Sequence, residues 1–461
     1  MKNVIKKFLL LLYLFVFFFD SFGYCAGISA YTQKYSKDNT NNFNIQFFLN
    51  FQDENLNYYI LQAINNNHDI KSAILKIEQY HQLGKMSLSE ELPHLHMASY
   101  YNGIKIPHIS NFRNYQRNGF ILPFFLNYEL DLLLKNRNRT QSINMLKKSY
   151  VYEHQASILS IVSNLVSTYI NIMYIDELIK IQKKITKLTF DIYKMEEKKE
   201  WAGVSDNIKK LNSQQNYIDE KNTLDNLYKK YNVLRTTFFV LLTPNGTDIN
   251  NFEVKHLSLY DYDDKNKYKI PACLSSDVVF FRPDILSLEQ QLKSYKIDIK
   301  IARKEFFPSF NVFGAYIFNT FGVGNFFSWE ATLASILAGA TFDIFMGGKK
   351  TANLKLKKNQ YEQALESYFK LTLEAQKEVN DSLFDVNENK KIEAQAYSIL
   401  SIENKKLNYE TKKYNKGVIA QQEIMQKNID YLKYKKYYLE AKTAKLISLV
   451  SLYKACGGNI N

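Results

Sequence analysis

Trp201-Ala202-Gly203-Val204-Ser205 is the one interruption in a long stretch of residues that favour helix. After Gly119, Gly203 is the only glycine before Pro244, and no proline lies between Pro123 and Pro244. Glycine and proline interrupt helices more strongly than any other residues, so their absence permits helices of unusual length. The sequence therefore predicts a long helix before Gly203, a reversal at this glycine, and a second long helix after it, over about residues 135–243.

The second half of the chain repeats this plan. Gly417 is the only glycine in residues 349–456, and no proline occurs there. A matching spacing from aspartate to proline, Asp69–Pro93 in the first half and Asp284–Pro308 in the second, marks the segment before each helical run. We therefore predict two long antiparallel helical hairpins, which is an elongated construction unlike that of a compact enzyme.

The segments that precede the hairpins have the character of strands. Residues 92–131 and 306–345 are rich in aromatic and β-branched side chains, and glycine and proline bound them. They provide two strand pairs, hence four strands, too few to close a barrel. An open sheet edge in lipid leaves backbone groups unsatisfied, so strands placed in a membrane would require several copies of the chain. Three copies would supply a barrel of about 12 strands, within the range of outer-membrane barrels.

The N-terminus predicts export. Three lysines precede the apolar run 8–19, which is too short to span a bilayer and typical of a signal peptide. An uncleaved anchor is the alternative. Cys25 is a possible site of lipidation, although bulky Tyr24 stands where a small residue is preferred. We find no second apolar segment of about 18 residues, which predicts that any crossing of the membrane is made by strands.

The charge pattern and the reactive side chains argue against several classes of function. The formal net charge is +14, but lysines alternate with acidic residues along the predicted helices, which indicates solvated helix faces and no nucleic-acid partner. His94 and His96 share a strand face without the further ligands that a metal site requires. No catalytic triad, pair of catalytic acids or nucleotide loop is present, so we predict neither an enzyme nor a cofactor.

Several short motifs, in this order and spacing, resemble the TolC-like outer-membrane efflux family, within it the branch that serves multidrug pumps. The second half carries the clearer matches, and the first half matches more loosely. The matching residues are Tyr128-Glu129-Leu130-Asp131, Gly203-Val204-Ser205, Arg282-Pro283-Asp284-Ile285, Phe307-Pro308-Ser309, Gly347-Gly348, Tyr414 with Gly417, and Leu452-Tyr453-Lys454 with Gly457-Gly458. Leu134 departs from the pattern, because the family usually has glycine there.

The resemblance implies a mainly α fold with a membrane β-barrel. It implies a homotrimer whose strands form the barrel in outer-membrane lipid and whose helices form a tunnel in the periplasm. The chain would then divide into a signal peptide (1–26), a first half-repeat (27–245), an equatorial segment (246–275) and a second half-repeat (276–461). The partners implied are a periplasmic adaptor and an inner-membrane pump.

The resemblance also implies two kinds of functional site. An adaptor would dock on the hairpin tips, at Gly203, Val204 and Ser205 in the first half and at Gly417 and Val418 in the second. The alternative for both tips is a plain helical turn without a partner.

Just beyond the second tip, the family has acidic residues that close the tunnel and bind cations. Glu423 and Gln426 occupy the matching positions, so one acid of the usual pair is present. Three Glu423 carboxylates close together would favour cations. An ordinary exposed glutamate on a helix is the alternative.

These observations predict the passive outer-membrane duct of a tripartite efflux system, gated at its periplasmic helix ends. A duct of the same fold that exports a polypeptide in a type I secretion system is one alternative. A trimeric coiled-coil scaffold without a pore is another, although a scaffold would not need the paired strands.

Overall fold

The computed structural model describes Phe47, residues 53–106, 115–243, 248–260, Tyr262, residues 276–320 and residues 332–458. The predicted signal peptide and Cys25 lie outside the described residues. The fold is mainly α, with long helices and one small sheet, as predicted. The helices are α1 Glu54–Asn66, α2 His68–Ser89, α3 Lys135–Trp201, α4 Asn207–Leu242, α5 Pro283–Lys304, α6 Lys349–Asn415 and α7 Gln421–Ala455, and the strands are β1 His94–Met97, β2 Tyr100–Ile106, β3 Tyr115–Leu130, β4 Ser309–Thr320 and β5 Thr332–Thr341.

Helices α3 and α6 are each 67 residues long, which corresponds to about 100 Å at 1.5 Å per residue. Neither contains glycine or proline, and α3 carries a stripe of buried apolar residues at helical spacing. The stripe includes Ile158, Val162, Leu165, Tyr169 and Ile172. These helices owe their length to the absence of interrupting residues and their stability to this packed face.

The sheet is antiparallel in the order β1-β3-β4-β5, and β2 also pairs with β3. The pairs Met97↔Phe124 and Tyr100↔Ile121 keep one register, so β1 and β2 are two parts of one strand. The interruption lies opposite Pro123. Ala98 donates its backbone N–H to the Pro123 carbonyl over 3.1 Å, but Pro123 has no N–H to return the bond. The sheet therefore has the four strand positions that the sequence predicts.

The chain divides into two compact units, and each draws on both halves of the sequence. One unit comprises Met1–Ile74, His154–Pro283 and Thr372–Asn461, and it contains both hairpin tips. The other comprises Leu75–Glu153 and Asp284–Leu371, and it contains the sheet. The units thus differ from the half-repeats of the sequence, because a long helix contributes to both.

In the unit with the tips, four helices lie side by side in the order α4-α3-α7-α6. Gln182 of α3 donates its amide to the Glu220 carbonyl of α4 over 2.9 Å, and Lys436 of α7 donates to the same glutamine side chain. Lys445 of α7 pairs with Glu393 of α6 at 2.7 Å. These contacts place α4 and α6 at the two ends of this series of helices.

A buried carboxylate fixes the start of α1. Asp53 is fully buried and caps α1 by accepting from the backbone N–H groups of Asn55 and Leu56. Its other oxygen accepts from the Tyr169 hydroxyl at 2.6 Å and the Tyr262 hydroxyl at 3.3 Å. One side chain thus joins α1, α3 and the segment between the half-repeats.

The close packing of Arg282 against the end of α7 explains why two of the family-like motifs contain these residues. Arg282, which is largely buried, donates to Glu378 of α6 at 2.7 Å and to the Ala455 carbonyl at the end of α7 at 3.2 Å. Gly457 has φ +68°, and a Cβ there would lie 2.9 Å from the Arg282 Cα. Glycine at 457 is therefore required both by the backbone conformation and by the close approach of Arg282.

Leu134, where the family usually has glycine, adopts φ +56°. The turn from β3 into α3 thus keeps a glycine-like conformation although the residue has changed. A left-handed conformation costs an L-residue about 1–2 kcal/mol. Bonds on both sides hold the turn, because Leu134 donates its N–H to the Asp131 carbonyl, and the Asp131 carboxylate caps the N–H groups of Lys135 and Arg137.

The expectation that the chain has no second apolar segment long enough to span a membrane was wrong. Among the described residues, α3 contains such an 18-residue window. Of that window, 67% is buried inside the structure. These residues form the packed face of α3 against its neighbours, and a core helix has the same composition as a membrane helix.

Candidate functional site

The first hairpin tip is a tight helix ending closed by glycine. Gly203 has φ +72°, and its N–H donates to the Glu200 carbonyl at 2.9 Å. The Val204 N–H donates to the Lys199 carbonyl at 2.8 Å. This pair of bonds satisfies carbonyls that the end of α3 would otherwise leave free, and it depends on the left-handed residue.

The second tip repeats the geometry of the first. Gly417 has φ +75°, its N–H donates to the Tyr414 carbonyl at 2.8 Å, and the Val418 N–H donates to the Lys413 carbonyl at 2.9 Å. No atom lies within 4 Å of a Cβ placed on Gly203 or Gly417. Glycine is therefore required at the tips by backbone conformation and not by lack of space.

Replacement of either tip glycine by alanine is expected to lower the folding stability of the protein by about 1–2 kcal/mol, because alanine is strained at positive φ. Gly84→Ala, within α2, is the matched control. Its new Cβ would meet Asn144 Oδ1 at 3.4 Å, an ordinary contact, and alanine favours helix. The melting temperature, followed by the helical circular dichroism signal, should fall for Gly203→Ala and Gly417→Ala and not for Gly84→Ala. Equal melting of all three variants would contradict this account of the tips.

A network of polar side chains joins the two tips. Glu196, which is buried, accepts from the Lys199 ammonium and from the Ser205 hydroxyl, each at 2.7 Å. Lys199 also donates to the side-chain oxygen of Gln422, in the first turn of α7. We call Glu196, Lys199, Ser205 and Gln422 the tip network. It ties the first tip to the residue that precedes Glu423.

The charge on Glu196 is stabilised by its partners. The hydrogen bond from Lys199 lowers the pKa of Glu196 below its ordinary value of 4.5, and the hydrogen bond from Ser205 acts in the same direction. Burial opposes this shift but is smaller than the effect of Lys199. The carboxylate is therefore charged throughout the neutral and mildly acidic range.

This shift predicts how the tips respond to pH. Because the folded pKa of Glu196 is lowered, its stabilising contribution is fully present above about pH 4.5 and is lost as the pH falls through the lowered value. The distribution of distances between spin labels at Ala202 and Lys416 should stay constant from about pH 7 to 5. It should broaden only in stronger acid. Glu196→Gln should remove the acid-dependent step. Broadening that is complete by pH 6 would contradict the assignment to Glu196.

The two predicted gate residues lie on an exposed face of α7. Glu423 is exposed, and Gln426, also exposed, donates its amide to Asp430 at 3.2 Å. Asp430 follows Glu423 by two helical turns and so lies on the same face. Asp430 was not among the predicted gate residues, although its heptad spacing from Glu423 is visible in the sequence. One chain does not bring copies of Glu423 together, so the predicted cation ring stays a prediction.

A groove of about 610 Å³ runs between α6 and α7 beside this face. Its lining alternates acidic and basic groups. The residues are Glu403, Lys406, Leu407, Glu410, Lys427, Asp430, Lys433 and Tyr434. Within the described part of the chain, no group of three His, Cys, Asp or Glu side chains could hold a metal ion. The groove is therefore a polar surface of mixed charge.

Comparison with known proteins agrees with this geometry. Residues 275–458, which include the second tip and α7, match the family model described as outer membrane efflux protein. The second half of the chain therefore resembles the outer membrane efflux proteins. This confirms the TolC-like resemblance, and the chain is accordingly an outer-membrane protein that extends into the periplasm.

Relatives match over nearly the whole chain. The cation efflux system protein CusC of Escherichia coli O157:H7 is 24% identical over 418 residues, which cover 88% of this chain and 87% of CusC. The toxin and drug export protein A of Aggregatibacter actinomycetemcomitans is 21% identical over 397 residues, 86% of this chain and 84% of that protein. The crystal structure of the Campylobacter jejuni CmeC outer membrane channel superposes with a TM-score of 0.80 at 22% identity and covers 90% of this chain and 88% of CmeC.

Proposed function

We propose that this chain forms, as a homotrimer, the outer-membrane duct of a tripartite efflux system. A periplasmic adaptor docks on its hairpin tips and connects it to an inner-membrane pump. The observation that carries the proposal is the combination, in one chain that resembles the efflux proteins, of a sheet with open edges and two helical hairpins with matching tips. The duct is passive, and the pump supplies the energy.

The open edges of the sheet support the trimer. Among the described residues, β5 pairs only with β4, and the β1–β2 strand pairs only with β3. Nearly every residue of β5 is exposed. In lipid, each unpaired backbone group costs several kcal/mol, so both edges require a partner strand. Three copies supply about 12 strand positions, which suffice for a closed barrel.

The outer helices of the four-helix layer support the same assembly. Both α4 and α6 expose large apolar side chains, a pattern that marks surfaces for contact with another protein. On α6 these include Leu373, Phe384, Tyr397 and Tyr409, and on α4 they include Val233 and Val240. Contact of α6 in one copy with α4 in the next would cover them and extend the layer into a tube.

The tip network supports gating at the periplasmic helix ends. It holds the first tip against α7, beside Glu423, through charge-assisted bonds of a kind that are worth about 1.5–3 kcal/mol each. We propose that the closed state keeps these bonds and that opening breaks them. Docking of the adaptor offers the free energy for this change, because it binds at the same tips.

The cargo is a separate question from the fold. The names of two relatives refer to cation efflux in one case and to toxin and drug export in the other. We propose that the duct accepts what its pump delivers, with small-molecule efflux as the first candidate. The toxin-export relative favours the second candidate, the duct of a type I protein secretion system. The scaffold without a pore gains no support from the resemblance to efflux proteins.

The two candidates predict different losses in cells that lack the chain. Loss of a small-molecule duct should raise the intracellular accumulation of a fluorescent cationic dye severalfold, and expression of the wild-type chain should reverse the effect. Loss of a protein-secretion duct should remove specific proteins from the culture medium and leave dye accumulation unchanged. Normal dye accumulation together with an unchanged set of secreted proteins would contradict both candidates.

A further inference from the structure

The two tips share a backbone geometry but differ sharply in their apolar surface. Trp201 lies two residues before Gly203 and is 90% exposed. Asn415 holds the equivalent position before Gly417. Val204 and Val418, each directly after its glycine, are 79% and 68% exposed. The first tip thus presents a large aromatic side chain where the second presents a small polar one.

The helices around both tips carry more lysines than acids. Several other tip lysines are paired, such as Lys194 with Glu197 and Lys210 with Glu200. A further set makes no salt bridge to any carboxylate of the described residues. Its members are Lys198, Lys209, Lys405, Lys412, Lys416 and Lys427. Asp206 and Glu423 are the acids of residues 194–210 and 405–427 that also make no salt bridge within the described part of the chain. The tips therefore carry a small excess of positive charge, which is larger at the second tip than beside Trp201.

We propose that Trp201 is the principal anchor for the periplasmic partner and that it enters an apolar pocket bordered by carboxylates. The inference rests on the proposed function, since it assigns the chemistry of the partner at the same tips. The two tips are then unequal in binding. The first supplies the apolar anchor, and the second supplies mainly charge and the support of Val418.

The geometry favours a protein pocket over the other possible occupants. Exposed tryptophan is the residue most often found to dominate protein interfaces, where a pocket excludes water around it. A second copy of the tips would bring like charges together, which disfavours tip-to-tip contact. An anionic lipid surface would accept the lysines, but lipid-binding helices require a continuous apolar face. The exposed apolar side chains here are Trp201 and Val204 in the turn and Ile208 and Leu211 at the start of α4, a patch shorter than such a face.

The chain has two tryptophans, which allows a direct test. In Trp329→Phe, Trp201 is the only tryptophan, and its fluorescence reports on its surroundings. The probe is the purified periplasmic adaptor of the same organism, with binding measured independently by surface plasmon resonance. Adaptor binding should shift the Trp201 emission to shorter wavelength and protect it from acrylamide. Trp201→Ala should weaken adaptor binding at least tenfold, and the matched variant Asn415→Ala should change it less than twofold.

Any other outcome would contradict the proposal that Trp201 anchors the adaptor. Adaptor binding without a change in emission, or equal effects of Trp201→Ala and Asn415→Ala, would leave the proposed function intact and exclude Trp201 as the anchor. A shift with phosphatidylglycerol vesicles but not with the adaptor would assign the tip to lipid. An already blue-shifted emission of the protein alone would show that another copy covers Trp201. No adaptor binding by the wild-type chain would contradict the proposed docking itself.

Discussion

Asp53→Ala is expected to lower the free energy of unfolding of the tip-containing unit by about 3–5 kcal/mol. The carboxylate is fully buried and has four hydrogen-bond donors, two from the backbone and two from tyrosines. Alanine removes the cap of α1 and leaves the Tyr169 and Tyr262 hydroxyls without this acceptor. Loss of a cap costs about 1 kcal/mol, and loss of a hydrogen bond between a buried hydroxyl and a charged acceptor costs about 1–3 kcal/mol.

Asp206→Ala is the matched control for this prediction. Asp206 also caps a long helix, α4, by accepting from the Ile208 N–H at 3.3 Å, but it is exposed and joins no other element. Its replacement should cost about 0.5–2 kcal/mol. Denaturant unfolding in detergent, followed by circular dichroism, compares the two variants. An Asp53→Ala effect no larger than that of Asp206→Ala would show that Asp53 acts only as a cap.

Glu196→Ala is expected to raise the open probability of the reconstituted channel at least tenfold. The substitution removes the acceptor of both Lys199 and Ser205 and so releases the first tip from the tip network. A tenfold change corresponds to about 1.4 kcal/mol, which is less than one charge-assisted hydrogen bond at the upper end of its range. Planar-bilayer recording of the purified protein measures the open probability directly.

The neighbouring residue provides a close control for the gate. Glu197→Ala removes the same charge, but among the described residues Glu197 bonds only to Tyr193 and Lys194 of its own helix. Its substitution should leave the open probability within about twofold of wild type, since surface ion pairs along one helix contribute little. Equal openings in both variants would indicate a general effect of charge. Wild-type behaviour of Glu196→Ala would separate the tip network from gating.

The positions of glycine and proline made much of this fold predictable. The positions of Gly203 and Gly417 predict where the hairpins reverse, because only a left-handed residue closes these helix ends. Pro123 marks the start of the proline-free stretch in the sequence, but its effect on the pairing of the strands depends on the register of β3. The spacing of apolar residues in α3 indicated its buried face. That α3 also contains a window as apolar as a membrane helix was not recognised from the sequence.

The side-chain contacts between helices could not be predicted. The pair Glu196 and Lys199 is visible in the sequence at a helical spacing, but its bond to Gln422 depends on α7 lying beside α3. The same holds for Asp53, whose tyrosine partners are far away along the chain. Neighbour relations among helices are set by tertiary packing, which a single sequence does not state.

The central claim is that this chain forms a gated duct, and single-channel conductance of the purified protein in a planar bilayer tests it most directly. We predict small, cation-preferring openings that divalent cations block when they are added on the side of the hairpin tips. Glu423→Gln should weaken that block, because it removes the carboxylates proposed to bind the ions. A folded, reconstituted protein that conducts no current, even with Glu196→Ala, would contradict the account.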